Sequence, residues 1–583
     1  MKLLKVFKRP LSDRTVLWLC LLFIIFWSAP LWFTPGKTGL GDWDTSMHRY
    51  EAARRTVMEF KQWPGNNPWS IGGEPLLGNP CIGFMQILLV LFLGTYWGIR
   101  VAVLLYLIVG FVGAWKLSGI WWKERFIRLI FVFYTIANPA LFFHLQGGHI
   151  LFQVFWLFPL LLYFLLRFKA DKWSGLKAAI VFALAFNELV AYIIQYAFVI
   201  LIGIYLYLFS TNYKTYLKEL VRWLMLFISV VPALTFYRLA TILPIAIQFP
   251  RLSDFRIHYS LQELFKMFFV PYVRLQVLFP GRPYASTVEL STYLGIIAFV
   301  MFILSFLRGF RWWHAVALVL IWCTIGNDRW YYFMYWIQKL PGFSSHLCFT
   351  RIRIFALFFI GIAATWGVYY ICLKYRDSRV RFLRYLSITI GFFMILEVLS
   401  VSYLIMCHSH VRLASWQESP HNKFKNISEL PRPKDAPADV CFTYRAIRMN
   451  LGWLHSQGDS YLPQDSIRIG CDQPGYIAEF YQGGKPVDPI YWSPNRILFK
   501  NLVPHLPLVV NITPGNAWYN NGKQLFPDYK IVEPSKPFEI MPNRYGIVDL
   551  VYKHPGQRMG VTGMLVLLLI AVFLIWGINK KTN

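Results

Sequence analysis

Acidic side chains are scarce: the 583 residues contain 29 Asp and Glu against 58 Lys and Arg, a formal net charge of +29. In a soluble protein this excess would indicate a nucleic-acid partner. Here, however, the basic residues cluster in short breaks between apolar runs, as the topology signals of membrane proteins do. An isolated acidic pair is also a poor metal site. We therefore expect no nucleic-acid partner and no cofactor, and we leave a divalent metal open.

Cysteine is also sparse, with eight residues, no CxxC and no Cys/His spacing typical of a metal site. This excludes the common zinc-binding modules. Cys441 and Cys471 fall in a polar C-terminal segment. Whether they form a disulfide depends on whether that segment faces an oxidising compartment, and we leave the pairing open.

Apolar residues make up 56% of the sequence, above the roughly 45–50% of soluble chains. A basic N-terminus precedes an apolar run with no cleavage site, which predicts an uncleaved signal-anchor helix with its N-terminus in the cytoplasm. The pattern predicts a polytopic α-helical membrane protein with about twelve transmembrane helices and both termini cytoplasmic. The predicted spans are 15–32, 101–117, 129–143, 151–166, 176–190, 191–209, 223–241, 293–306, 315–325, 354–371, 386–406 and 561–578.

This pattern divides the chain into a transmembrane domain (1–406), an extracytoplasmic β-rich domain (407–557), and a last helix with a cytoplasmic tail (558–583). The middle segment is rich in Pro, Gly and Asn, and its apolar runs are short and separated by turn residues, as in small β domains. The transmembrane domain contains a long first outer loop, 33–100. Within this loop, apolar positions at helical spacing over 45–60 predict an amphipathic helix on the membrane surface, and 82–97 a juxtamembrane or partly inserted helix.

The first loop carries the acids that could do chemistry, in the sequence GDWD at positions 41–44. Asp44 and His48 are four residues apart, which places them on one helix face. A carboxylate at this position could accept a proton from an attacking hydroxyl. The alternative is structural, because Asp44 leads directly into the predicted helix and could cap its free N–H groups. Glu188, beside a predicted helical hairpin, is a further candidate, since acids within membranes are usually functional. The alternative is that Glu188 is simply solvated at the outer end of a short span.

Several motifs occur in an order that resembles class C (GT-C) glycosyltransferases, and more specifically the YfhO-like bacterial membrane proteins of that superfamily. After the basic anchor helix come GDWD, the helix containing RY, and WSIGGEPLLGNP at 69–80. Further matches are NPALFFHLQGGH at 138–149, ELSTYLG at 289–295, LPGFSSHLCFTRIR at 340–353, and SPNRILFKNL, PGNAWYNNGK and VYKHPGQRMG within 493–560. The arginines at 351 and 353 lack the proline that the family has in this region.

The resemblance implies a GT-C fold and a hexosyl or pentosyl transferase of the bacterial inner (cytoplasmic) membrane. In such enzymes an aspartate deprotonates a glycan, lipid or polymer acceptor, which attacks the anomeric carbon of a polyprenyl-phosphate-linked sugar with inversion. We prefer Asp44 over Asp42 as the base, because it leads directly into the helix. Arginine suits the phosphate through bidentate contacts, although each interfacial arginine could instead bind lipid headgroups. The implied substrate-binding residues are His48, Arg49, His149, Arg351, Arg353 and Glu289.

Two other functions fit a membrane protein of this composition. A lipid or polysaccharide transporter or flippase would need charged residues deep within several spans, whereas here the charges gather at the span ends. A non-catalytic envelope assembly protein would use the β-rich domain to bind a glycan or partner. Convergence of Asp42, Asp44, His149 and Arg353 at one cavity would favour the enzyme. The sugar, the acceptor and the oligomeric state are not encoded in any motif.

Overall fold

The structure is a computed structural model. It describes residues 12–34, 37–39, 42–70, 73–77, 79, 82–167, 171, 173–188, 191–211, 213–248, 261–270, 292–325, 336, 339, 349–375, 381–408, 411–412, 424–427, 443–454, 470–512, 517–525, 538–554 and 556–580. Glu289 and Cys441, two of the residues singled out in the sequence, lie outside these ranges. Within them the chain is mostly helical, and most of the β-strands gather towards the C-terminus.

The helices are numbered α1 to α17 in chain order. They are Asp13–Trp27, Ala29–Trp32, Trp43–Met58, Phe84–Trp121, Arg125–Ile136, Pro139–Gln146, Phe158–Arg167, Ser174–Glu188, Ala191–Thr211, Tyr213–Gln248, Leu261–Phe269, Ile296–Ser305, Trp312–Cys323, Arg353–Tyr375, Arg381–His408, Thr443–Arg448 and Gln557–Lys580. Short 3-10 helices occupy Ile150–Leu157, Phe306–Arg308 and Phe349–Ile352.

Seven helical segments among the described residues are long and apolar enough to cross a membrane: Phe84–Trp121, Arg125–Gln146, Ile150–Arg167, Ile193–Ser210, Leu224–Leu243, Arg353–Tyr375 and Ile388–Cys407. Three shorter apolar segments are Ile296–Arg308, Trp312–Cys323 and Gln557–Ile570. Every span predicted from the sequence overlaps a helix. A mostly helical, multi-pass architecture is therefore confirmed, while the count of about twelve and the orientation of the termini stay predictions.

Helix α4 contains the predicted short helix and the span that follows it, joined at a sharp bend. Gly94 lies inside α4 with φ 76°, a left-handed conformation that glycine adopts at little cost. Beyond the bend, a Cβ added to Gly98 would lie 2.6 Å from the backbone nitrogen of Val90. The two glycines let the short arm of the helix pack closely against the long one, while its insertion into the membrane stays a prediction.

A second break, between α5 and α6, brings the NPALFFHLQGGH motif into position. Pro139 occupies the first turn of α6, and the Asn138 side chain accepts a hydrogen bond from the Leu141 N–H. The apolar segment therefore restarts as a new helix with a defined direction. Helix α6 ends at Gln146, and Gly148 adopts φ +94° before the 3-10 helix begins. His149 is consequently held at the end of one apolar segment and the start of the next.

The C-terminal region contains two antiparallel sheets, which confirms that it is β-containing. The strands, β1 to β15 in chain order, are Lys37–Thr38, Asn66–Asn67, Glu74–Pro75, Val411–Arg412, Lys425–Ile427, Leu451–Trp453, Phe480–Gln482, Lys485–Pro486, Tyr491–Ser493, Arg496–Phe499, Leu508–Val510, Trp518–Asn520, Lys523–Gln524, Phe538–Ile540 and Val548–Tyr552. One sheet has the order β13-β12-β15-β10-β9 and the other β14-β11-β7-β8. Alternate residues, such as Ile497 and Phe499, point into a shared apolar core.

Helix α3, predicted to lie on the membrane surface, is instead buried, so that expectation was wrong. It packs against α4 on one side and α16 on the other. Its polar residues His48, Arg49, Glu51 and Arg55 are buried rather than hydrated. The physical reason is long-range: the C-terminal region covers the face that the sequence pattern assigns to water. Strand β1 of the first loop also pairs with β4, and Ser70 bridges to Trp453.

Candidate active site

The turn before α3 places Asp42 against the end of α6. The Asp42 N–H donates to the Gly147 carbonyl at 3.2 Å, and the Trp43 indole donates to the Leu145 carbonyl at 2.6 Å. A Cβ on Gly148 would lie only 2.6 Å from the Asp42 Cα, so this close backbone approach requires glycine. Asp42 and Trp43 therefore form one structural unit with the end of α6 and the glycines that follow it, although about 100 residues separate them.

Asp42 and His149 face each other in this unit. The Asp42 Oδ2 lies 3.3 Å from the His149 Nε2, and the two side chains are 58% and 20% exposed. The carboxylate is thus accessible and held beside an imidazole, the combination expected of a general base. Asp42 precedes α3 without capping it, since its side chain makes no cap hydrogen bond.

On its inner side, His149 is connected through successive contacts to two buried side chains. Its Nδ1 lies 2.8 Å from the Nδ1 of His144, and the His144 Nε2 lies 3.1 Å from the Nη2 of Arg353. His144 and Arg353 are both almost fully buried. We call Asp42, His149, His144 and Arg353 the polar relay. It connects an exposed carboxylate to a buried guanidinium where the apolar segments Arg125–Gln146 and Arg353–Tyr375 meet.

An aromatic ring organises the relay. Phe152 lies 4.5 Å from the His144 ring and 5.2 Å from the His149 ring, measured between centroids, and stacks on the latter. The guanidinium of Arg351 lies 5.4 Å from the Phe152 centroid, on the ring face. Arg351 is only partly buried. It is therefore a second cation beside the relay and closer to solvent than Arg353.

Asp44 points away from the relay and towards the C-terminal region. Its Oδ2 and Oδ1 accept hydrogen bonds from the backbone N–H groups of Thr443 and Tyr444 at 2.7 and 2.9 Å. These residues begin α16, so Asp44 caps α16. The alternative predicted from the sequence was a cap on α3, the helix that Asp44 leads into. Both oxygens of Asp44 are engaged in binding this helix.

His48 and Arg49 lie on the same side as Asp44. The His48 Nδ1 meets the Thr443 carbonyl at 2.9 Å, and the Asn67 amide meets its Nε2 at 3.3 Å. Burial lowers the pKa of His48, which the Thr443 carbonyl and Glu74 partly oppose. Arg49 lies 3.8 Å from Glu74. The cavity beside these groups, about 10 Å³, is the size of one water molecule and too small for a sugar.

Glu188 holds the bent segment at the start of α4. Its Oε1 accepts a hydrogen bond from the Met85 N–H at 2.8 Å. Arg238 donates to the carbonyls of Leu77, Asn79 and Ile82 in the same loop. This buried acid is therefore engaged by the backbone of the first loop.

A larger cavity of about 350 Å³ lies beside the first loop. Its lining comprises Phe26, Ala29, Pro30, Phe33, Thr34, Lys37, Tyr403 and Cys407. Lys37 is two residues from Gly39, which packs against the Trp43 indole next to Asp42. The cavity thus combines an apolar wall with one cation close to the relay. No group of three metal-ligating side chains occurs anywhere in the portion of the chain that the structure describes.

His144 is the relay residue that sequence reasoning missed. It lies within the quoted NPALFFHLQGGH motif, five residues before His149. A lone histidine in an apolar helix normally indicates a packed residue, and only the contact with Arg353 distinguishes it. The sequence did identify Asp42, His149 and Arg353, and the structure brings these three together.

Comparison with known proteins leaves the family open. No family model and no curated protein matches the chain. The cryo-EM structure of the arabinofuranosyltransferase AftD from mycobacteria is similar over 68% of this chain, with 15% identity and a TM-score of 0.41. This chain spans about a quarter of that protein, since the match covers 27% of it. The fold and the site define a multi-pass helical membrane protein with an exposed carboxylate at the junction of two apolar segments.

Proposed function

We propose that this chain is a membrane glycosyltransferase of the GT-C kind, which transfers a sugar from a polyprenyl-phosphate donor to an extracytoplasmic glycan, lipid or polymer acceptor. The observation that supports this best is the polar relay, with the exposed Asp42 carboxylate beside His149 on the loop after the first helix. The order of the sequence motifs that resemble the GT-C superfamily also supports it.

In this proposal Asp42 is the general base. Its carboxylate takes the proton of the acceptor hydroxyl while that oxygen forms a bond to the anomeric carbon. The bond from the anomeric carbon to the phosphate oxygen breaks, and its electron pair leaves on the polyprenyl phosphate. Attack opposite the leaving group inverts the anomeric centre. Asp42 fits this role better than Asp44, because both Asp44 oxygens already accept backbone hydrogen bonds.

The leaving phosphate needs a cation, and Arg351 is the candidate. Arg353 is buried and contacts His144, whereas Arg351 is partly exposed over Phe152. A guanidinium binds phosphate through two parallel hydrogen bonds and offsets the charge that develops on it. The apolar wall of the cavity near Lys37 offers a surface for the isoprenoid part of the donor.

The placement of the relay favours an enzyme over the transporter and assembly alternatives. Its charged members lie at the ends of the apolar segments Arg125–Gln146 and Arg353–Tyr375, rather than along a path through them. An assembly protein would not need an accessible carboxylate in contact with a histidine that leads to a buried arginine.

The test is transfer by the full-length protein in nanodiscs, with a panel of polyprenyl-phosphate hexoses and pentoses as donors. We expect Asp42→Asn to lower kcat by about 10²–10⁴-fold with little change in the donor KM. Asp549→Asn is the matched control, because Asp549 is also a solvent-accessible carboxylate in contact with a basic side chain, Arg496, but lies in the β-containing region. Undiminished transfer by Asp42→Asn would contradict the proposal, as would the absence of turnover with every donor.

A further inference from the structure

We propose that His144 and Arg353 are positioning residues, which fix His149 in the one tautomer whose N–H faces the Asp42 carboxylate. The inference rests on the proposed function, in which Asp42 is the base. It assigns the buried half of the relay a task distinct from binding substrate. The contacts are Asp42 to His149 at 3.3 Å, His149 to His144 at 2.8 Å and His144 to Arg353 at 3.1 Å.

The donor and acceptor chemistry allows one proton arrangement along these contacts. A guanidinium has five N–H donors and no acceptor, so the His144 Nε2 facing Arg353 must be the acceptor. The single proton of His144 is then on Nδ1, which donates to the Nδ1 of His149. His149 in turn carries its proton on Nε2, the nitrogen that faces Asp42. Both imidazoles are neutral, and all donors point from Arg353 towards Asp42.

The surroundings oppose the other protonation states. A second proton on His144 would lie on Nε2 and would place an N–H against the N–H groups of the Arg353 guanidinium. The groups that face the two histidines include Asp42 from the first loop, Arg351 from the 3-10 helix before α14, Arg353 from the first turn of α14, and the Phe152 ring. Two of these groups are cations, which disfavour additional positive charge on the imidazoles.

The consequence for catalysis is orientation of the base. His149 directs its N–H at Oδ2 of Asp42, which leaves Oδ1 as the oxygen that receives the acceptor proton. If Arg353 were absent, His144 could adopt either tautomer, and His149 could present a lone pair to the carboxylate instead. Two lone pairs repel, so Asp42 would turn away from its catalytic position. Histidine tautomers are commonly set in this way by the partner of the second nitrogen.

The first experiment reads the tautomers without turnover. The full chain, labelled with ¹⁵N-histidine in lipid bilayers, is measured by solid-state NMR, which separates protonated from unprotonated ring nitrogens. His144→Gln and His149→Gln assign the two signals among the 12 histidines. We expect protonated Nδ1 and bare Nε2 in His144, and the reverse in His149. A His144 that is protonated on Nε2, alone or on both nitrogens, would overturn the inference.

The second experiment connects the tautomers to activity. Arg353→Met keeps the length and removes the donors, whereas Arg353→Lys keeps a donor and is the matched control. We expect Arg353→Met to mix the His144 tautomers and to lower kcat by about 10–100-fold, with the donor KM nearly unchanged, and Arg353→Lys to preserve both. Unchanged tautomers in Arg353→Met, or an effect on KM alone, would overturn the inference.

The two proposals fail separately. If Asp42→Asn retains full transfer, the proposed base is wrong, even when the tautomers are as expected. If the tautomers differ from the expected pattern while Asp42→Asn is inactive, the glycosyltransferase proposal survives and the positioning role does not. Should Arg353→Met fail to fold, the wild-type tautomers alone still decide the inference.

Discussion

Replacing Asp44 by Asn tests whether the two acids of the first loop have different tasks. The Asp44 carboxylate accepts two backbone hydrogen bonds, at 2.7 and 2.9 Å, from the first residues of α16. Asparagine retains one oxygen, so one N–H would keep a neutral acceptor and the other would face an amide NH₂. Hydrogen bonds to charged groups contribute about 1.5–3 kcal/mol each, and an unsatisfied buried donor costs a similar amount.

The expected loss in the attachment of α16 is therefore about 2–4 kcal/mol. The remaining contacts between α16 and α3, from Arg55 to the Ile447 carbonyl and from Arg448 to Glu51, still hold the helix near its place. The variant should consequently open locally instead of unfolding. Since about 1.4 kcal/mol is a factor of ten, the open fraction should rise by about 30- to 1,000-fold.

Hydrogen–deuterium exchange of the full chain in nanodiscs measures this opening directly. Peptides that cover 443–454 should exchange faster in Asp44→Asn by the same factor, and those that cover 84–121 should not change. Asp42→Asn is the control, because the Asp42 carboxylate contacts His149, whereas the backbone N–H groups at the start of α16 donate to Asp44. In the transfer assay the variant with the large effect should be the other one: Asp42→Asn should lose activity, and Asp44→Asn should retain its kcat. Inactive Asp44→Asn with unchanged exchange would refute the reasoning and make Asp44 the base.

Two further predictions concern the backbone at Gly148 and the dependence of stability on pH. Gly148→Ala should lower kcat by about 10²-fold, because its Cβ would lie 2.6 Å from the Asp42 Cα and displace the base. Gly309→Ala is the control, since Gly309 has a similar φ of +97° but open space around it. This variant should transfer normally. Normal transfer by Gly148→Ala would contradict this. Burial raises the pKa of Glu479 from 4.5 to about 7. The folded form therefore binds a proton that the unfolded chain has released, and stability should fall as pH rises from about 5 to about 8. Thermal unfolding should show this fall in wild type and a weaker one in Glu479→Gln; equal pH dependence would count against it.

Local patterns were sufficient to predict much of the fold. Apolar runs bounded by basic residues predicted segments that are helical in the structure, because a helix in lipid must satisfy its own hydrogen bonds and needs about 20 apolar residues. The apolar stretch at 82–97 predicted a short helix before the next span, and in the structure both belong to α4 and are separated by the bend at Gly94. Short apolar runs between turn residues predicted the β-containing C-terminal region in the same way.

The parts that local patterns could not predict depend on contacts between distant residues. The polar face of α3 suggested a water-exposed helix, since nothing nearby in the sequence reveals that α16 covers it 400 residues later. In the sequence, His144 is a single histidine within an apolar helix, and its polar role becomes visible only through its contact with Arg353. The preference for Asp44 over Asp42 depended on where α3 begins, and helix boundaries are uncertain by one or two residues from any local criterion.

That boundary also explains how two acids so close in sequence can serve different partners. Successive helical residues are rotated by about 100°, so positions two apart point in nearly opposite directions. At the start of α3, Asp42 consequently faces His149 and the apolar segments, while Asp44 faces α16 and the C-terminal region. Two carboxylates less than one turn of helix apart therefore contact different parts of the chain, which is why their substitution by Asn is expected to have different effects.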